Sequence, residues 1–122
     1  MGKVSRVLLL MKSMIYESTN PLEVLRFAKY YRATKGLDVT IVLWGPMGIL
    51  LGKRNKTGRN RYEDEVQECL DMGVHINCCD LAAKLIGLEA SELMPGISMV
   101  PSYNVADMLL EYQEAGDLII SL

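Results

Sequence analysis

The most informative segment of the chain runs from Val74 to Gly87 and reads VHINCCDLAAKLIG. Through Cys78 its apolar residues alternate with other residues, which is the period of two that a β-strand produces. The alternation then gives way to an alanine- and leucine-rich run that stops at a glycine, as expected of a short helix. We therefore predict a strand that runs directly into a helix, with Cys79 at the junction.

The two adjacent cysteines of this segment are expected to differ. Cys78 continues the apolar face of the strand, so we interpret it as a small buried hydrophobe. Cys79 is predicted on the opposite, outward face, where backbone N–H groups of the helix start can lower a thiol pKa from about 8.5 toward neutrality. On these grounds an inert thiol and a reactive thiolate are equally good interpretations of Cys79. Cys69 lies within an earlier helical pattern and is predicted to belong to the core.

The rest of the chain alternates between strand and helix patterns. Predicted strands cover residues 4–11, 37–44, 74–79, 97–100 and 117–121, and predicted helices begin near residues 20, 60, 80 and 104. Because five strands alternate with four helices, right-handed crossovers should build a parallel sheet with helices on both faces. We predict one α/β domain over residues 1–122, a flavodoxin-like three-layer sandwich with the strand order 2-1-3-4-5.

That strand order would bring the carboxyl ends of the first and third strands together. Ligands of parallel sheets bind outside the carboxyl ends of the strands, where the strand order reverses. Lys12 follows the first strand and Cys79 ends the third, so a site is predicted there with Cys79 as the reactive group and Lys12 as a possible auxiliary cation. Asp80 is a second possible auxiliary residue, although an acid at a helix start is more simply explained as a favourable N-terminal charge.

Composition narrows the class of partner. The chain has 13 Lys and Arg and 15 Asp and Glu residues, a net charge of −2, which argues against a general nucleic-acid surface. No apolar run approaches the length of about 20 residues that a bilayer span requires. Three cysteines, two of them adjacent, do not make a disulfide framework, and the N-terminus does not read as a signal peptide. We expect a cytoplasmic protein in a reducing compartment, with neither nucleic acid nor membrane as partner.

Two loop segments are candidates for contacts with other molecules. Five basic residues lie within nine positions: Lys53, Arg54, Lys56, Arg59 and Arg61. A solvated loop and a docking site for an anion or partner both fit this cluster. Residues 45–52, GPMGILLG, form an apolar loop that fits packing on its own domain, a subunit interface or a site lid.

Several chemistries found on this architecture do not fit the residues. Residues 12–18 contain no glycine for a flavodoxin phosphate loop, so no FMN is expected. Adjacent strand cysteines point to opposite faces and cannot supply the convergent ligands of zinc, so no metal or other cofactor is expected. His75 precedes Cys79 by four strand residues, roughly 13 Å, which is too far for a Cys–His pair. His75 is therefore interpreted as structural.

The features together resemble the DsrE/DsrF-like family, which includes the TusD-type sulfur-relay subunits. The resemblance rests on an apolar first strand, an apolar glycine-containing loop after the second, and Cys79 at the end of the third, followed eight residues later by Gly87 and Leu88. A short closing strand after an acidic helix end completes it.

The resemblance implies a sulfur carrier or sulfurtransferase subunit of a sulfur relay. Such a subunit would hold sulfane sulfur as a persulfide on Cys79, receive it from a thiol-bearing donor protein and pass it to a thiol-bearing acceptor. It would assemble as a homotrimer or hexamer, with Cys78 as a possible auxiliary residue. The alternative is a non-catalytic oligomeric binding or assembly module whose cysteines are incidental. Thiol reactivity distinguishes the two hypotheses.

Overall fold

Five parallel strands form one sheet in the computed structural model, which describes residues 3–12, 20–45 and 61–122. The strands are β1 (Arg6–Met11), β2 (Asp38–Leu43), β3 (His75–Cys79), β4 (Ile97–Val100) and β5 (Leu118–Ser121). The helices are α1 (Asn20–Ala33), α2 (Arg61–Asp71), α3 (Asp80–Leu85) and α4 (Ser102–Glu114), and a 3₁₀ turn covers Ala90–Glu92. These elements confirm the predicted alternation. The last helix begins two residues earlier than predicted, directly after Pro101.

Alternate residues of the central strands supply two separate cores, one on each face of the sheet. Val7 and Leu9 of β1 lie in the larger cluster, which also contains buried residues of α1 and α2. Leu8 packs in the smaller cluster with Val105 and Tyr112 of α4. A strand buried on both faces reads as a continuous apolar run, which is why β1 and β2 show no alternation in the sequence. The predicted three-layer α/β sandwich is confirmed.

The strands lie in the order β4-β3-β2-β1-β5, which corrects the predicted order 2-1-3-4-5. β1 pairs with β2 and β5, whereas β3 pairs with β2 and β4. Burial gives the physical reason. The predicted order would place β2 at an edge, yet residues 39–43 are buried throughout, while β4 and β5 are partly exposed at the edges. Strands that are apolar on both faces belong in the interior of a sheet.

The observed order also changes which strand ends are neighbours. Met11 and Cys78 both pair with Leu43, so β2 separates β1 from β3. Two strand spacings amount to about 10 Å between the backbones of β1 and β3. The predicted site directly between β1 and β3 is therefore not formed. The ends of β1, β2 and β3 instead lie side by side, with that of β2 in the middle.

Asp117 ties β5 to β1 at the amino end of the sheet, away from Cys79. Its Oδ1 accepts hydrogen bonds from the backbone N–H groups of Ser5 and Arg6, at 3.1 and 3.2 Å. Its Oδ2 accepts one from the Arg6 Nε at 2.7 Å, and the Arg6 guanidinium lies 4.1 Å from the centroid of the Tyr112 ring. The Arg6 side-chain hydrogen bond, with those from the backbone, holds the pKa of Asp117 below its ordinary value.

Candidate functional site

Cys79 lies where β3 ends and α3 begins, as predicted. It is the N-cap residue of α3, with extended backbone at φ −69° and ψ 125°, and it pairs with Val100 of β4. Its side chain does not face outward, however, because only 2% of the residue is exposed. The expectation of an outward face is therefore wrong. Cys79 shares a buried cluster with Ala82 and Ala83, the two residues that α3 packs into the core.

Cys78 and Cys69 are fully buried, which confirms the predictions for both. Burial, with smaller contributions in the same direction from the neighbouring groups of Cys79 and Asp80, raises the pKa of Cys78 to about 11. Burial likewise raises the pKa of Cys69 to about 12, and the Cys69 thiol donates to the Leu25 carbonyl at 3.7 Å. At pH 8 a thiol with a pKa near 11 is roughly one part in a thousand thiolate. Neither residue therefore has the character of a nucleophile near neutral pH.

Asp80 connects the start of α3 to the start of α4. Its Oδ1 accepts a hydrogen bond from the backbone N–H of Ser102 at 3.1 Å. The N-cap residue of α4 is Pro101, which makes no side-chain capping hydrogen bond. The Asp80 carboxylate therefore takes the place of a cap, and a negative charge at a helix N-terminus is stabilising.

Lys12 lies across the end of β2 from Cys79 and not beside it. The backbone N–H groups of Trp44 and Gly45 both donate to the Met11 carbonyl, at 3.0 and 3.2 Å. A Cβ on Gly45 would lie 2.4 Å from the Lys12 carbonyl oxygen, so only glycine permits this approach of the two chain segments. Lys12, Trp44 and Gly45 line a surface pocket at the carboxyl edge of the sheet.

Trp44 is a residue near the candidate site that the sequence reasoning did not single out. It follows Leu43, which pairs with Met11 on one side and Cys78 on the other, so Trp44 stands between Lys12 and Cys79. The residue is 38% exposed. A lone tryptophan at the carboxyl end of a buried strand is the signal that would have identified it, because aromatic rings are common where a protein contacts another molecule.

His75 lies at the amino end of β3, the opposite end from Cys79. Its Nε2 is 3.4 Å from Oδ1 of Asp38, and both side chains are more than half exposed. The predicted separation of His75 from Cys79 is therefore confirmed.

Most of the predicted basic docking cluster falls outside the part of the chain that the structure describes. Lys53, Arg54, Lys56 and Arg59 lie outside the described residues, as do residues 46–52 of the apolar loop. Arg61 begins α2, and its side chain also lies outside the described part of the chain. The docking and interface hypotheses for these residues stay predictions.

Large apolar side chains are exposed on, or directly after, the two helices that the Asp80–Ser102 hydrogen bond joins. These exposed residues are Leu81, Leu85, Ile86, Tyr103 and Leu110. Leu85 is 75% exposed and Tyr103 is 79% exposed. Leu81 directly follows Asp80 and Tyr103 directly follows Ser102, so these two residues adjoin the Asp80–Ser102 hydrogen bond.

Residues 3–12, 20–45 and 61–122 contain neither a metal-binding cluster nor a membrane-spanning helix. No group of three or more His, Cys, Asp and Glu side chains in these ranges is arranged to hold a metal ion. No helix there is both long enough and apolar enough to cross a membrane.

Comparisons with solved structures support the fold. The chain is similar to the ychN protein from E. coli, with 19% identity, a TM-score of 0.78, and coverage of 98% of this chain and 100% of that one. It is also similar to MTH1491 from Methanobacterium thermoautotrophicum, with 18% identity, a TM-score of 0.74, and coverage of 96% and 98%. BT1422 from Bacteroides thetaiotaomicron gives 22% identity, a TM-score of 0.73, and coverage of 97% and 95%. MTH1491 and BT1422 are described as proteins of unknown function.

Comparison at the level of sequence families is more specific. Among the curated proteins none matches the chain. The model of the DsrE/DsrF-like family, in contrast, matches residues 5–122, which include all five strands, the Cys79 junction and both helices that flank it. A match over nearly the whole length, together with this fold, shows that the chain belongs to the DsrE/DsrF-like family.

Proposed function

We propose that this protein is a sulfur carrier or sulfurtransferase subunit that holds sulfane sulfur as a persulfide on Cys79. The observation that carries the proposal is the position of Cys79 in a chain of this family, a free cysteine at the carboxyl end of β3 where α3 begins. Carboxyl ends of parallel strands are the usual place of function in such sheets. Cys69 and Cys78 are poorer candidates because burial raises the pKa of both thiols.

The proposed chemistry is two successive thiol–persulfide exchanges. The Cys79 thiolate attacks the outer sulfur of a donor persulfide, the donor S–S bond breaks, and the donor thiolate leaves and takes up the persulfide proton. Cys79 then holds an anionic persulfide. The thiolate of an acceptor protein attacks the outer sulfur, the Cys79 S–S bond breaks, and the Cys79 thiolate is regenerated. Neither step needs an external oxidant, because each S–S bond that breaks is replaced by another.

The three free cysteines suit a reducing compartment, and we place the exchange in the cytosol. A disulfide between Cys78 and Cys79 would be strained, because consecutive α-carbons are about 3.8 Å apart and disulfides usually span 4.4 Å or more. The persulfide on Cys79 is therefore expected to leave by transfer to another protein and not by attack from Cys78.

The carrier role is tested by sulfur loading of matched single-cysteine variants. The protein is incubated with radiolabelled cysteine persulfide, and bound sulfur is mapped by digestion and mass spectrometry. Cys79→Ser should lose the label, whereas Cys78→Ser, which changes the adjacent residue in the same way, should keep it. Label retained by Cys79→Ser at the level of the parent protein would refute the proposal.

We also propose that the protein works as a homo-oligomer, a trimer or a hexamer. The support is the set of exposed apolar side chains on α3 and α4, because a monomer would leave Leu85, Tyr103 and Leu110 in water. Light scattering at micromolar concentration should give a mass three or six times that of the 13.6 kDa chain. A monomeric mass would contradict this part of the proposal.

A non-catalytic assembly module is the second candidate function. The 2% exposure of Cys79 favours it, because a buried thiol is not open to a partner protein in this conformation. The two candidates make opposite predictions for loading. Failure of the parent protein to take up any sulfur on Cys79, while still assembling, would favour the module.

A further inference from the structure

Cys79 is buried, so its use as a sulfur carrier requires a local movement that exposes it. The exchange reaction joins two sulfur atoms directly, and the attacking thiol must reach the persulfide sulfur. Only 2% of the residue is exposed, and Cys79 is itself the N-cap residue of α3. Whatever holds the start of α3 in place therefore also holds Cys79 in its buried position.

α3 is weakly attached to the remainder of the fold. It has six residues, of which only Ala82 and Ala83 are buried, and these are the smallest apolar side chains. Leu81 and Leu85 are instead 59% and 75% exposed. A helix of about one and a half turns is only marginally stable by itself, and segments with little buried apolar surface are the ones that unfold locally.

One side-chain hydrogen bond fastens the start of this helix to a larger element. Asp80, the first residue of α3, accepts from the N–H of Ser102, the first residue of the 13-residue α4. Hydrogen bonds to an ionised acceptor are stronger than those between neutral groups. The bonded carboxylate belongs to the residue directly after Cys79, so its release would free the junction itself.

We propose that the Asp80–Ser102 hydrogen bond is a latch that holds α3 over Cys79 and regulates access of partner thiols to it. Asp80 is then a positioning residue that acts through α3 and α4. The use of this latch in sulfur transfer rests on the proposed carrier function, whereas its effect on the exposure of Cys79 does not. The latch is closed in the structure, and the residues that directly follow its two members, Leu81 and Tyr103, are exposed.

The experiment measures how fast Cys79 is alkylated by iodoacetamide in the full-length protein. Labelled peptides are resolved by tandem mass spectrometry so that Cys78 and Cys79 are scored separately. Asp80→Ala removes the acceptor and should raise the Cys79 rate about tenfold, the shift in a local opening equilibrium expected from one hydrogen bond to a charged group. Asp80→Asn keeps an acceptor oxygen and should restore most of the slow rate.

A second variant removes the latch from the donor side. Ser102→Pro deletes the N–H at the first position of α4, where proline is well tolerated. Pro101 has φ −61° and ψ 147°, a conformation that a residue before proline readily adopts. This variant should also raise the Cys79 rate about tenfold, and combining it with Asp80→Ala should add little because both remove the same bond.

Two controls separate the latch from general destabilisation. Cys69 is buried in α2 and reports global unfolding, so its rate should stay within about twofold of that of the parent. Asp71→Ala removes a carboxylate that accepts one hydrogen bond from Gln67 on the surface of α2, and it should leave Cys79 unchanged.

The outcomes distinguish the latch from the carrier function. Equal acceleration of Cys69 and Cys79, or an unchanged Cys79 rate in both Asp80→Ala and Ser102→Pro, would overturn the latch. Selective acceleration of Cys79 would support it even if Cys79 took up no sulfur, and in that case only the carrier function would fail.

Discussion

At the residue scale, the two adjacent cysteines differ in their surroundings. Cys78 lies inside β3 between Leu43 of β2 and Met99 of β4, whereas Cys79 is the N-cap residue of α3 at the carboxyl end of β3. Cys78 is 0% exposed, and burial raises its pKa to about 11. The side chain of Cys78 therefore contributes to packing, and the chemistry that we propose falls to its neighbour.

Cys78→Ser is expected to lower the free energy of unfolding by about 1–3 kcal/mol, because a hydroxyl buried without a good partner costs roughly that much. Urea denaturation measures the change. Cys78→Ala is the matched control, since it removes the sulfur without adding a hydroxyl, and it should cost less than serine. An unchanged urea midpoint for Cys78→Ser would mean that the site is more polar or more open than its burial indicates.

At the element scale, the ends of β1 and β2 meet in a contact that only glycine permits. A Cβ on Gly45 would lie only 2.4 Å from the carbonyl oxygen of Lys12, and the N–H groups of Trp44 and Gly45 share the Met11 carbonyl. This close approach sets the position of Trp44 between Lys12 and the Cys79 junction. The carboxyl edge of the sheet is thus shaped by backbone geometry as much as by side chains.

Gly45→Ala should cost about 1–3 kcal/mol of stability, because the added methyl forces the two segments apart. Trp44 is the single tryptophan of the chain, so its fluorescence emission should shift in the same variant. Gly116→Ala is the control: Gly116 has φ +73° with nothing within 4 Å of its added Cβ, so it strains only its own backbone. The Gly45 contact would be disproved if Gly45→Ala, like the control Gly116→Ala, left the Trp44 emission as in the parent.

At the scale of the whole molecule, β5 is the last strand in the sequence, and it pairs with β1, the first. Asp117 fastens its start to Ser5 and Arg6, and Arg6 in turn lies over the Tyr112 ring of α4. Because the folded pKa of Asp117 is below its ordinary value of 3.8, its carboxylate stabilises the fold fully above that value. That stabilisation is lost as the pH falls from about 3.8 through the lowered pKa.

Asp117→Asn should lower the urea midpoint by a constant amount at neutral and mildly acidic pH. Below about pH 4 the difference from the parent should shrink, because the parent's carboxylate is then being protonated as well. Asp71→Asn, at an exposed surface carboxylate, serves as control and should show a small difference at every pH. A difference that stays constant down to pH 2 would show that charge on Asp117 does not contribute.

The local features of this chain were accessible from its sequence. The period of two that breaks at Cys79, the glycines that end helices and the continuous apolar runs of β1 and β2 helped to predict each strand and α-helix that the described residues show, and with them the α/β class. These are properties of neighbouring residues, because hydrogen bonding and side-chain direction repeat over two to four positions. The burial of Cys69 and Cys78 followed from the same patterns. The 3₁₀ turn at Ala90–Glu92 was not predicted.

The order of the strands, and with it the neighbours of Cys79, was decided by the tertiary structure. Strand order depends on which apolar faces are buried against other elements, and that is a property of all the strands together. Because β2 is apolar on both faces, it lies inside the sheet between β1 and β3. The distance of Lys12 from Cys79 follows from that order. The burial of Cys79 and the hydrogen bond from Ser102 to Asp80, 22 residues away, likewise depend on parts of the chain that no local pattern relates.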